Sequence, residues 1–303
     1  MHIFCFNDCI PSSGQERELV SCLENTIREY DKIRKQFPKD ILGVVTSNEP
    51  SNVILNDNNC TLADCVLKLE HSIRRIGFTI FKNYPIEVYY ENIDEDILIK
   101  NDYIIKINNI QHNAINAKIV SQKNGILFSL ALHSDIKKNC LDIFDKQNNI
   151  SVVNNLYGEL SNTEFISRHI NQEIIDKLGN YEKLLFLLNK SLVSERFKKG
   201  FEAASAIVQQ SIINHFQIAI NRNGVTRFYS DGNLIKDVTP EKETKIKVFE
   251  LRIFDPIAYR IYFFEKGEKI YLALAEQKPS PKVQDNHIKS ACSTIHQLIL
   301  LEN

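Results

Sequence analysis

The chain has no tryptophan, one methionine and only ten glycines among its 303 residues. The glycines never cluster. Neither a G-x-x-x-x-G-K-[ST] loop nor a G-x-G-x-x-G turn is present, which excludes the two commonest backbone cradles for nucleotide phosphates. Long apolar runs are also missing. None approaches the roughly 20 residues that cross a bilayer, so no membrane partner is expected. The opening stretch Met1-His2-Ile3-Phe4-Cys5-Phe6-Asn7-Asp8 has neither the charged start nor the apolar length of a signal peptide and reads as a β-strand. The seven cysteines (Cys5, Cys9, Cys22, Cys60, Cys65, Cys140, Cys292) are odd in number and irregularly spaced, unlike a disulfide framework. Reduced thiols and a cytoplasmic location are expected.

What is present is ordinary for a globular protein. Hydrophobic residues make up 43% and charged residues 25%, enough to build a core. The length suggests two domains. The net charge of −1 conceals an asymmetry. Residues 196–303 hold 16 basic and 12 acidic side chains, whereas the rest of the chain is net acidic. The C-terminal third is therefore the better place for a polyanion.

Periodicity assigns most elements. Residues 3–6 read as a strand, 9–14 as a turn, and 16–37 as a long amphipathic helix that Pro38 ends. Residues 41–46 form a strand and 61–76 a helix, followed by strand-like pieces at 78–81 and 85–90. From 92 to 151 the pattern favours strands and Asn-rich turns, with strands over 104–110, 117–120 and 126–132. A domain boundary is expected near Tyr157-Gly158, giving an α/β domain over 1–157 and a second part over 158–303. Helices follow over 161–178, 182–188 and 194–220. Strands over 245–254, 259–264 and 269–275 make an antiparallel meander with a Lys266-Gly267 turn. A last helix covers 285–301.

The C-terminal third carries a motif series. Val248-Phe249-Glu250-Leu251-Arg252-Ile253 is followed by Tyr259-Arg260-Ile261-Tyr262-Phe263-Phe264, an apolar strand from Gly267 to Ala275, Lys278, and a helix entered by Asp285-Asn286-His287-Ile288-Lys289-Ser290-Ala291. The series resembles the RelE/HigB/ParE toxin superfamily over about residues 194–303. The resemblance implies an α+β fold: an N-terminal mixed α/β domain followed by a RelE-like domain with helices packed on an antiparallel sheet. It also implies a metal-independent endoribonuclease, without cofactor, in which a 2′-OH attacks its own phosphate. Such chemistry needs positive charge on the phosphorane and a proton carrier on each side.

Carried onto this sequence, the family's arginines match Arg252 and Arg260, and its basic loop matches Lys278. His287 stands near the proton-handling position. Lys245, Lys247 and Lys282 are expected to hold RNA, with ribosome-bound mRNA as the candidate the resemblance implies. Two departures stand out. The paired basic loop is here Glu276-Gln277-Lys278, and the last helix has no tyrosine.

Plainer readings compete with each of these. Arg252 and Arg260 also suit ion pairs on a sheet face, Lys245 and Lys247 a solvated strand, and His287 a helix start. Cys5/Cys9 and Cys60/Cys65 suit buried thiols better than zinc knuckles. His133-Ser134-Asp135 is too local for a triad. Arg74-Arg75 suits the end of a helix. The function expected is a regulated toxin-like effector, with antiviral (anti-phage) defence as its candidate setting and a neutralising protein as its candidate partner. A non-catalytic binding module and a gyrase-type inhibitor remain the alternatives.

Overall fold

The computed structural model describes residues 2–10, 15–89, 102–221, 234–278 and 280–302. The chain is mixed α and β, and divides into two compact units, Met1–Gln172 and Glu173–Asn303. The expected boundary at Tyr157-Gly158 falls inside the first unit. Of the turn expected at 9–14, residues 11–14 lie outside the described residues, as do the stretch 90–101 and the segment 222–233.

The first unit is built on a seven-stranded sheet. Its strands are β1 (His2–Phe6), β2 (Ile41–Val45), β3 (Ile104–Ile107), β4 (Ile110–Asn113), β5 (Ile126–Phe128), β6 (Cys140–Phe144) and β7 (Ile150–Leu156), in spatial order β2-β1-β5-β7-β6-β3-β4. The first four of that order are parallel and the remainder antiparallel. The parallel half reads as continuous apolar sequence because both of its faces are covered. Phe4, Phe6 and Phe128 meet Tyr30 of α1 (Glu16–Gln36) and Phe81 in an edge-to-face cluster. Cys5 and Leu127 point the other way, toward Ile119 and Val120 of α4 (Ile115–Gln122).

Several expectations are corrected here. Residues 117–120 are helical, because Ala117, Ile119 and Val120 satisfy a helical face as well as a strand. The 61–76 helix is two helices, α2 (Leu62–Leu67) and α3 (His71–Ile80), and α3 takes in most of the piece expected as strand 78–81. The 104–110 strand folds back at Asn108-Asn109, whose φ angles of 51° and 61° make a two-residue hairpin turn. Helix α5 (Leu160–Lys177) closes the unit, with Thr163 Oγ1 donating to Glu29 of α1 at 2.8 Å.

The second unit is a five-stranded sheet between helices. Its strands are β8 (Leu192–Val193), β9 (Ile235–Asp237), β10 (Phe249–Ile253), β11 (Tyr259–Lys266) and β12 (Lys269–Gln277), in order β8-β12-β11-β10-β9. All neighbours are antiparallel except β8 and β12. The β11–β12 turn places Gly267 at φ +62°, where a side chain would be strained. The alternation at 245–248 does not form a strand; ladder pairing starts at Phe249.

One face of this sheet is apolar throughout. Phe249, Leu251, Ile253, Tyr259, Ile261, Phe263 and Leu272 pack on α6 (Asn180–Leu187), α7 (Glu195–Ala203) and α8 (Ala206–Asn221). Helices α7 and α8 replace the single helix expected over 194–220, because Ala204 leaves the helical region at ψ 150°. The opposite face is covered by α9 (Pro281–Glu302), whose Ala291, Cys292, Ile295 and Leu298 bury Val248, Tyr262, Tyr271 and Leu274. Among the described residues, no helix is long and apolar enough to cross a membrane.

Candidate functional site

The face under α9 is apolar at one end and polar at the other. Pairing of β10 with β11 and of β11 with β12 puts Arg252 opposite Arg260, and Arg260 opposite Glu276. Paired residues project from the same face, so the three form one rung across three strands. Glu250 lies two residues from Arg252 and therefore on the same face.

Glu250 is fully buried, and a buried carboxylate must be paired. Its Oε1 accepts from Arg252 Nε at 2.8 Å and lies 3.3 Å from Arg260 Nε. Its Oε2 accepts from Gln284 Nε2 of α9 at 2.6 Å. Arg260 is 3% exposed. Its Nη1 donates to the carbonyls of Ile253 and Tyr259, at 3.0 and 2.8 Å, and its guanidinium sits over the Phe254 ring. Desolvation pulls the Arg260 pKa down, and Glu250 opposes that shift. Arg260 thus organises the strand ends and is covered. Arg252 keeps 22% of its side chain exposed.

His287, in the second turn of α9, sets Nδ1 against Oε1 of Glu276. With Nδ1–H donating to a carboxylate, Nε2 becomes the nitrogen that exchanges protons. Burial pushes the Glu276 carboxyl up, while His287 and the Arg196 charge pull it down. Arg196, from α7, also donates to Ser290 of α9. The rung therefore ends in an imidazole oriented by a carboxylate.

The lysines take up surface positions. Lys278 is exposed, and its backbone N–H donates to Ala258 O at 2.8 Å. Lys245 and Lys247 are exposed while Ile246 and Val248 between and beside them are buried. Lys282 falls in the first turn of α9, and its side chain lies outside what is described. Sequence reasoning named Arg252, Arg260, Lys278 and His287 but missed their partners. Glu250 was visible only as part of the E-L-R series, Glu276 only as a departure from a basic pair, and Gln284 and Arg196 carried no signal.

The first unit has a polar concavity of its own. Strand order reverses between β1 and β5, and the carboxyl ends of parallel strands at such a point open a crevice. A 280 Å³ cavity there is lined by Asn7, Asp8, Cys9, His112, Asn113 and Asn116, among others. Asn116 Nδ2 donates to Asp8 at 2.8 Å. Behind it, Asn7 Nδ2 donates to Ser129 Oγ at 2.9 Å, and Ser129 donates to Asn155 at 2.5 Å. No protein-family model, no curated protein and no solved structure matches the chain.

Proposed function

We propose that the unit Glu173–Asn303 is a RelE-like toxin domain that cleaves RNA without a metal, and that the chain is its regulated form. The observation that carries this reading is the rung Arg252–Arg260–Glu276 with His287 seated on Glu276. It brings a phosphate-binding cation and an oriented proton carrier to one end of one sheet. The E-L-R and Y-R-I motifs and the order of two helices, three-stranded meander and final helix support it further.

In the proposed reaction, His287 Nε2 takes the proton from a ribose 2′-OH. The 2′ oxygen attacks the adjacent phosphorus, and the bond to the 5′ oxygen breaks. The products are a cyclic phosphate and a 5′-OH. Arg252 binds the phosphorane oxygens, for which its planar fork is suited. Lys278 supplies the proton to the departing oxygen. Arg260 touches neither substrate nor proton; it holds Glu250 and the strand ends in place. The first turns of α9 lie on this polar end, through Gln284 on Glu250 and His287 on Glu276.

A second reading has one observation in its favour: both arginines are engaged with Glu250. A non-catalytic module binding RNA, DNA or protein would tolerate that. The experiment is controlled expression of the full chain in a bacterial host, beside His287→Gln and the Arg252→Ala/Lys278→Ala double variant. Growth and newly formed RNA 5′-OH ends are scored. Growth arrest with new ends, lost in both variants, is the expected result. Arrest with intact RNA favours the binding module, or a gyrase inhibitor if DNA is damaged. Absence of both arrest and cleavage counts against the ribonuclease.

A further inference from the structure

At the middle of the same helix, beyond the first turns that meet Glu250 and Glu276, side chains of three donor types converge. Cys292 and His296 are four residues apart on α9 and so share a face. Glu243 reaches them from the turn between β9 and β10. Its Oε2 lies 2.8 Å from His296 Nε2 and 3.4 Å from Cys292 Sγ. All three donor atoms fall within 4.8 Å of one another. We propose that Glu243, Cys292 and His296 form a Zn2+ site that fastens α9 to the 239–246 turn.

The spacing suits that ion. Tetrahedral zinc with ligands at ~2.0–2.3 Å separates its donor atoms by about 3.3–3.7 Å. The Sγ–Oε2 distance already has this value, and the imidazole needs to withdraw by about half an ångström. A thiolate, an imidazole and a carboxylate together suit zinc far better than magnesium or calcium.

The site is also held in shape before any ion arrives. Glu243 Oε1 accepts from the backbone N–H groups of Lys245 at 2.7 Å and Ile246 at 3.3 Å, which leaves Oε2 aimed at the helix. The turn itself is fixed by Val248 N donating to Thr239 Oγ1 and by Glu243 N donating to Pro240 O. Cys292 is 8% exposed, so its sulfur is shielded from casual oxidation, whereas His296 keeps 38% of its side chain in solvent. An open concavity lined by Thr239, Lys242, Asp285, Lys289 and Ser293 adjoins the cluster, so water completes the fourth position. Binding releases the Cys292 proton to solvent as the thiolate forms. The ion would then hold the middle of α9 against the sheet whose polar end the first turns of α9 cover. The proposal stands whether or not the unit cleaves RNA.

The test uses the full chain, stripped with a chelator and kept reduced, titrated with Co2+ and then Zn2+. One equivalent of Co2+ is expected to give the intense visible bands of a tetrahedral site with a thiolate charge-transfer band, and Zn2+ is expected to displace it. Cys292→Ser is expected to remove the charge-transfer band. His296→Ala, at a half-buried position, is expected to weaken Zn2+ binding by roughly 100-fold or more, beyond the loss caused by removing an outer partner. Cys60→Ser is the control, because Cys60 and Cys65 form a close sulfur pair at 3.5 Å that could bind metal on its own. It is expected to leave the spectrum unchanged. Lack of a charge-transfer band in the wild type, or a band that survives Cys292→Ser or follows Cys60, overturns the proposal.

Discussion

Arg252 and Arg260 face each other across adjacent antiparallel strands and converge on one oxygen, Glu250 Oε1, at 2.8 and 3.3 Å. Like charges directly opposite on a sheet repel. The buried Glu250 carboxylate turns that repulsion into a bridged pair, and Gln284 occupies its other oxygen. Glu250→Gln keeps the shape and removes the charge. It is expected to destabilise the second unit by about 3–5 kcal/mol, the usual cost of stranding a buried partner. Arg252→Ala, at a partly exposed pair, is expected to cost only about 1 kcal/mol. Urea unfolding of the full chain, followed through tyrosine fluorescence, measures both. Equal costs would mean that Glu250 does not serve both arginines.

Under the ribonuclease reading, His287 and Glu276 act as one unit. His287→Gln is expected to lower cleavage of a short RNA by roughly 10²–10⁴-fold, the range for losing a positioned proton carrier. Glu276→Gln keeps a hydrogen-bonding group at Nδ1 but removes the carboxylate that orients the ring. It is expected to lower the rate by a similar factor. A rate left at the wild-type value would make Glu276 a packing residue.

How far this site was legible depended on sequence range. The alternation of Phe249, Leu251 and Ile253, the Gly267 turn and the helical spacing of Ala291, Ile295 and Leu298 are local patterns, and the sheet and last helix follow from them. The N-terminal α1 was legible for the same reason. Residues 117–120 were not, because a short apolar cluster satisfies both periods and only packing against β7 and β1 decides. The break at Ala204 is likewise tertiary. The pairing of Arg260 with Glu276, the engagement of Gln284 with Glu250 and the approach of Glu243 to His296 span 16, 34 and 53 residues, so nothing in a local window signals them.

Gly200 shows packing overruling propensity. In a helix interior, glycine to alanine ordinarily gains ~1 kcal/mol. Here a Cβ would stand 1.8 Å from the Ala275 carbonyl oxygen, a backbone atom of β12. Helix α7 lies that close because Gly200 lacks a side chain, and its carbonyl accepts the Tyr259 hydroxyl at 2.7 Å. Gly200→Ala is expected to cost about 1–3 kcal/mol or more, as overpacking does. A stabilised variant in thermal unfolding would contradict the close packing of α7 on β12.

Asn155 is the centre of the polar network in the first unit. It is fully buried, accepts from Ser129, and donates to the carbonyls of Ile136 and Lys138 at 2.8 and 3.0 Å. Asn155→Ala strands the buried Ile136 carbonyl, the part-buried Lys138 carbonyl and the Ser129 hydroxyl. Each unmatched group costs about 1–3 kcal/mol, so a loss of about 3 kcal/mol is expected from the first unit's transition, with the second left unchanged. A shift in both transitions would show that the two units unfold together.

Glu243 links stability to acid. The His296 hydrogen bond, followed by the Lys245 backbone N–H, holds its carboxyl at about 2, against an ordinary 4.5. A depressed carboxyl binds fewer protons in the folded chain than in the unfolded one, so its contribution is complete above the ordinary value. That contribution is lost as the pH falls from about 4.5 through about 2. With a chelator present to remove metal, wild type is therefore expected to be more stable than Glu243→Gln above pH 4.5. The difference should shrink steadily on acidification and vanish below about 2. Urea midpoints of the two proteins across that range test it. A difference that stays constant would assign Glu243's contribution to the geometry of the turn, since a glutamine preserves that geometry and does not titrate.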